Sequence, residues 1–134
     1  MDKTPRNFRI FIVDDSMLMR ERLTELFHTL PRVEVCGMAD NAPQAIAALK
    51  ASPVDVVILD LDLVAGSGLD VLKAVKQDHA APTVIILTIH SFHDFGRHCL
   101  DAGADYFFEK GNAFDGVLNL LEQLSLRHAP EGAA

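Results

Sequence analysis

The stretch VDVVILDLDLVAGSGLDVLKAV, residues 54–75, reads as one strand–turn–helix unit. Val54 to Leu59 is nearly continuous in branched aliphatic residues, as suits a parallel strand covered on both faces. Asp60 closes the run. After a glycine-containing turn, Ser67-x-x-Asp70 pairs a capping oxygen with a carboxylate three positions on. The unpaired amide N–H groups and the dipole of a helix start favour acceptors there.

The same unit recurs in both directions along the chain. Short β-rich runs are expected at Arg9 to Val13, Val33 to Met38, Thr83 to Leu87 and Tyr106 to Phe108, each followed by a helix-like segment. Ser91-x-x-Asp94 and Asn112-x-x-Asp115 repeat the capping pattern, and Ser16 and Asn41 read as caps too. Behind Ser16, residues Met19, Leu23, Leu26, Phe27 and Leu30 share one helical face; Phe114, Val117, Leu118, Leu121 and Leu124 do so behind Asn112. Gly103 stands where a left-handed helix stop is needed. Alternating strands and one-sided helices predict an α/β fold, a parallel sheet with helices on both faces.

The length of 134 residues with 49% apolar content suits one domain, expected over residues 8–127 between flexible ends at 1–7 and 128–134. A net charge of −7 opposes contact with nucleic acid or an anionic membrane. Cys36 and Cys99 lack metal-type pairing and read as small core residues in a reducing compartment. The run from Phe8 to Val13 is too short for a signal segment or a membrane span, so a cytoplasmic location is expected.

In doubly wound sheets, ligands sit beyond the carboxyl ends of the strands. There the sequence places Asp14 and Asp15, Asp60, Thr88, and Glu109 leading to Lys110. If the first and third strands are neighbours, three carboxylates converge, and they repel unless a cation neutralises them. A hard divalent ion is implied, and Mg²⁺ suits oxygen ligands shared with a phosphoryl group. A carboxylate beside such an ion can act as a nucleophile toward phosphorus, with Lys110 balancing charge and Thr88 hydrogen-bonding a phosphoryl oxygen.

These residues, with Gly68 and Ala102-Gly103-Ala104-Asp105 leading to Lys110, resemble the response regulator receiver family, the CheY-like superfamily of two-component signalling, from about Phe8 to Leu126. The resemblance implies a flavodoxin-like sheet of five parallel strands in the order 2-1-3-4-5 with five helices. It implies Asp60 as phospho-acceptor, and Mg²⁺ held by Asp15, Asp60 and the Asp62 backbone carbonyl, with Asp14 on a metal-bound water. Thr88 and Phe107 would be the switch pair, and Asp62, Ile89 and His90 would tune phosphoryl lifetime. The expected partners are a sensor histidine kinase or phosphotransfer protein and a downstream target or output domain. A homodimer is a further association that the reading leaves open. The output surface would run from about Ser91 to Leu126.

Two other readings compete. Asp60-Leu-Asp-Leu-Val64 resembles the D-x-D-x-[TV] nucleophile motif of haloacid-dehalogenase-type phosphohydrolases, but there it follows a first strand and here a third. A degenerate receiver is disfavoured because Asp14, Asp15, Asp60, Thr88 and Lys110 are all present. The chain departs from the family's usual pattern at Gly111 and Val64, where proline is common, and at Ile89, where a small residue is common. After the fifth helix no output domain is expected within the chain, which reads either as a free-standing receiver or as the first part of a longer regulator.

Overall fold

Five strands, β1 (Phe8–Val13), β2 (Val33–Ala39), β3 (Val56–Leu59), β4 (Thr83–Thr88) and β5 (Tyr106–Glu109), alternate with five helices. The helices are α1 (Met17–Phe27), α2 (Ala42–Ala51), α3 (Gly68–Val75), α4 (Phe92–Asp101) and α5 (Phe114–Arg127). The computed structural model describes residues 7–78 and 80–128. The strands pair in parallel in the order β2-β1-β3-β4-β5, as the resemblance implied.

Alternation along each strand sorts the apolar side chains into two layers. Phe11, Val13, Val57, Leu59, Val84 and Ile86 face α2, α3 and α4 and meet Ala45, Leu72 and Cys99. Their neighbours Ile10, Ile12, Val56, Ile58, Ile85 and Leu87 face α1 and α5 and meet Leu23, Phe27, Val117 and Leu121. The two helical faces expected for α1 and α5 are thus packed against one layer. Between Ile10 and Phe11 the pairing of β1 with β2 slips by one, leaving Cys36 as the extra residue.

Ser16, Asn41, Ser67 and Ser91 each accept a hydrogen bond from the backbone amide three residues on, and Ser67 with Asp70 completes a reciprocal capping box. Asn112 does not cap: α5 starts one residue later, behind Ala113, with no side-chain cap. Ala113 is 8% exposed in the α1–α5 layer, and its burial sets the start of the helix in place of a polar cap. At the end of α4, Gly103 (φ 110°) and Ala104 donate to the carbonyls of Leu100 and Cys99. This pair of bonds turns the chain into β5.

All five strands differ from the sequence reading by a residue or two: β1 starts at Phe8, β2 ends at Ala39 and β4 ends at Thr88, each one residue beyond the expected run. β3 begins at Val56 and not at Val54, because the Asp55 carboxylate takes the Arg9 amide (2.7 Å) that a strand carbonyl would accept. β5 runs on to Glu109, opposite Thr88. His128 was expected in the tail, yet its ring meets Phe8 edge-on with centroids 5.4 Å apart. The rest of the expected flexible ends, residues 1–6 and 129–134, lies outside the described residues.

Candidate functional site

Four strands deliver polar residues to one edge of the sheet. Asp14 follows β1, Asp60 follows β3, Thr88 ends β4, and Lys110 follows β5. The ladder continues one step past the strands: the Asp14 amide donates to the Ala39 carbonyl (3.1 Å) and the Asp60 amide to that of Val13 (2.9 Å). Main-chain bonds therefore aim both carboxylates. Gly68 supports this from α3, since a Cβ there would lie 2.2 Å from the Asp60 carbonyl oxygen.

Asp14 and Asp60 have side chains only 3% exposed, and Lys110 is 13% exposed with Nζ 3.0 Å from an oxygen of each. Burying such charges is tolerated only when they are paired. Burial pushes the Asp14 carboxyl above the usual range and the Asp60 charge adds to the rise, against the Ser16 amide and Lys110, which lower it. Burial alone would lower the Lys110 ammonium, but Asp14 and Asp60 override it and hold it above its ordinary value. Asp15 is exposed, and oxygens of Asp14, Asp15 and Asp60 come within 4.8 Å of one another. Two of the three clustered carboxylates share one ammonium and Asp15 has no ion pair among the described residues, so the set is short of positive charge and made of hard oxygens.

Thr88 is fully buried. Its hydroxyl accepts from the His90 amide (3.4 Å) and its carbonyl from the Lys110 amide (2.7 Å), so β4 and β5 are tied beside the carboxylates. His90 Nε2 lies 2.8 Å from Asp62 Oδ2, linking the β4–α4 loop to the β3–α3 loop. The His90 ring also packs on Phe95, with centroids 4.6 Å apart. Ile89, between Thr88 and His90, is 72% exposed. Phe107 stands apart from the carboxylates: it packs in the α2–α4 layer and meets Phe92 edge-on at 5.4 Å. The peptide after Lys110 is trans.

Two contacts were not legible beforehand. The Glu109 carboxylate accepts from the Phe92 amide at the start of α4 (3.3 Å), and Arg20 Nη1 donates to the Asp14 backbone carbonyl (2.7 Å). Nothing in the sequence separates Arg20 from Arg22; only the fold points one of them at the strand end.

Comparison with known proteins shows the family and the fold. A profile of the response regulator receiver domain matches residues 10–122. The nitrate/nitrite response regulator protein NarP of Escherichia coli is 36% identical over 103 residues, covering 77% of this chain and 48% of that protein. A protein-glutamate methylesterase/protein-glutamine glutaminase of Vibrio vulnificus is 31% identical over 91% of this chain and 34% of its own length. The chain thus spans about half, or less, of these curated relatives. Among solved structures, a LuxR-family two-component response regulator from Aurantimonas superposes with a TM-score of 0.82 at 25% identity, covering 90% of this chain and 86% of that one. The phosphohydrolase alternative finds no support: the matching profile is the receiver's, and the Asp62 carboxylate is engaged with His90.

Proposed function

The chain belongs to the response regulator receiver family, and from that premise we propose that Asp60 accepts a phosphoryl group and that Asp14, Asp15, Thr88 and Lys110 assist the transfer. The observation that carries this reading is the buried pair Asp14 and Asp60 bridged by a single Lys110 ammonium, with Asp15 at their side. Among the described residues, no helix is long and apolar enough to cross a membrane.

In the proposed step an Asp60 carboxylate oxygen attacks phosphorus while the donor's bond to phosphorus breaks. For a phosphohistidine donor, the leaving imidazole nitrogen takes the electron pair and is protonated from solvent. Lys110 balances the phosphoryl charge, and the Thr88 hydroxyl, now accepting from the His90 amide, turns to donate to a phosphoryl oxygen. The three clustered carboxylates fit Mg²⁺; Asp15 and Asp60, with the Asp62 carbonyl, would hold it, and Asp14 would assist through a water. When bound, the ion supplies charge neutralisation at the transferring group.

Asp62, Ile89 and His90 then set how readily water and donors reach the phosphoryl group, and Phe107 moves with Thr88 as the switch. The donor is a sensor histidine kinase or phosphotransfer protein. The target is a downstream protein or an attached output domain, recognised at α4, β5 and α5. On this reading the chain is a signalling phospho-acceptor that works in the cytoplasm, not an enzyme with turnover of its own.

Intact-mass measurement after treatment with Mg²⁺ and a small acyl-phosphate donor tests the assignment. The expected result is gain of one phosphoryl group, abolished by Asp60→Asn. Undiminished labelling of that variant removes Asp60 from the role.

A further inference from the structure

Asp14 and Asp15 are adjacent in sequence but are held very differently. Asp14 is fixed four ways: its amide donates to Ala39, its Oδ1 accepts from the Ser16 amide (2.9 Å), its Oδ2 pairs with Lys110 Nζ (3.0 Å), and its carbonyl accepts from Arg20 Nη1 (2.7 Å). Asp15 is exposed, and its carboxylate has no hydrogen bond or ion pair with any described residue. Only the peptide it shares with Asp14 directs it. Arg20 is bonded to the carbonyl of that peptide.

Arg20 reaches this carbonyl because α1 starts at Met17, behind the Ser16 cap, and turns the half-buried Arg20 back toward the end of β1. Its guanidinium forms no ion pair with Asp14, Asp15 or Asp60 among the described contacts; its bond is to the main chain. A guanidinium is always charged and its donors are set in a rigid fork, so it fixes the direction of a carbonyl better than a flexible ammonium does.

We propose that Arg20 is a positioning residue: by fixing the Asp14–Asp15 peptide it presents the Asp15 carboxylate to the divalent ion. This rests on the reading that Asp15 and Asp60 hold Mg²⁺. Two effects of Arg20 on the ion have opposite signs, which makes the role testable. As a charge beside carboxylates, Arg20 repels a dication, so its removal by itself tightens binding. As an anchor, it removes the freedom of a peptide that the ion must otherwise order, so its removal loosens binding.

Calorimetric titration of Mg²⁺ into the full chain decides between the two. Arg20→Met keeps an apolar stem on α1 and removes both charge and donors. We expect it to weaken Mg²⁺ about tenfold, the size of ordering roughly one residue of backbone. Its metal-free Tm should stay within about 4 °C of the wild type, as for a loss near 1 kcal/mol or less. Arg20→Lys, which keeps a donor and the charge, should recover part of the affinity and serves if the Met variant folds poorly. In an Asp15→Asn background, removal of Arg20 should have little further effect, because the ligand it directs is gone.

Mg²⁺ binding to Arg20→Met as tight as, or tighter than, to the wild type overturns the role. So does an equal loss in the Asp15→Asn background. A wild type that binds no Mg²⁺ overturns the metal reading itself, and this role with it.

Discussion

Lys110 is the residue on which the metal-free site depends, because it alone among the described residues bridges Asp14 and Asp60 where both are nearly sealed from water. Removing one partner of a buried ion pair costs about 3–5 kcal/mol, since the remaining charge is left uncompensated. Lys110→Met should therefore lower the urea midpoint sharply in EDTA, and Mg²⁺ should narrow the gap by supplying the missing positive charge. Equal midpoints in EDTA would mean that the carboxylates are stabilised by something other than Lys110. Cys99 shows the opposite use of burial. It is fully buried against the α2–α4 layer, which pushes its thiol above the ordinary range, and burial raises Cys36 as well. A folded-state pKa above the unfolded one suppresses thiolate, so at pH 8 Cys99 should react with a thiol reagent far more slowly in native than in unfolded protein. The stability tied to that shift is present below the pKa of the unfolded thiol and is lost as pH rises through the raised folded value. Native labelling of Cys99 as fast as in the unfolded protein would show that the α2–α4 layer does not shield its thiol. Residue types were legible in the sequence where a strand end or a cap fixed their setting, as at Asp14, Asp60 and Lys110. Arg20 and Glu109 were not, because their bonds reach strand and helix ends that only the folded chain brings near.

The elements matter for function through where they meet the strand ends, and α3 is the tightest case. Gly68 lies against the backbone of Asp60 and Leu61, where a Cβ would sit 2.2 Å and 2.9 Å from main-chain atoms that cannot swing aside. Gly68→Ala should force α3 outward at a cost of about 1–3 kcal/mol, the usual range for overpacking. Asp60 should shift with it, so phosphorylation by a small donor should slow by more than the loss of folded protein accounts for. A stable variant with an unchanged rate would show that the contact is slack. The loops after β3 and β4 are joined by Asp62 and His90 at 2.8 Å, leaving Ile89 exposed beside them. Ile89→Ala should speed phosphorylation by a small donor, through relief of bulk on the approach, with Mg²⁺ affinity nearly unchanged, because the side chain has no ligand atom. Stopped-flow rates that are unchanged or slower would rule out Ile89 as a gate. Four helix starts were readable from their capping residues alone. Asn112 failed because burial of Ala113, invisible to a local pattern, sets where α5 begins.

At the scale of the molecule the five strands were legible because alternation and continuous aliphatic runs have a single good solution, a sheet covered on both faces. How firmly each helix is held was not legible, since it depends on which side chains reach the layers. α3 buries Gly68, Val71, Leu72 and Val75, whereas α4 buries only Gly96 and Cys99. Phe92, Phe95 and Leu100 of α4 remain 48%, 37% and 39% exposed. Few buried apolar groups mean a low free energy of local opening, so α4 is held less firmly than α3. It is also wired to the site at both ends of its first turn. His90, whose amide meets Thr88, packs on Phe95, and Glu109, next to Lys110, holds the Phe92 amide while Phe92 rests on Phe107. A phosphoryl group that draws Thr88 and Lys110 toward it must therefore strain the contacts that seat α4. Hydrogen exchange with and without Mg²⁺ and a beryllofluoride phosphoryl analogue reads this directly. Before addition, amides of α4 should exchange faster than those of α3. On addition, the largest change should fall in residues 88–101 and 106–112, by about tenfold or more in rate, as suits a shift in a local opening equilibrium. Amides of β2 and α2 should stay as they were, because among the described residues no hydrogen bond or ion pair joins either element to Thr88 or Lys110. A change confined to the loop after Asp60, or spread evenly over the chain, would mean that the site does not communicate through α4.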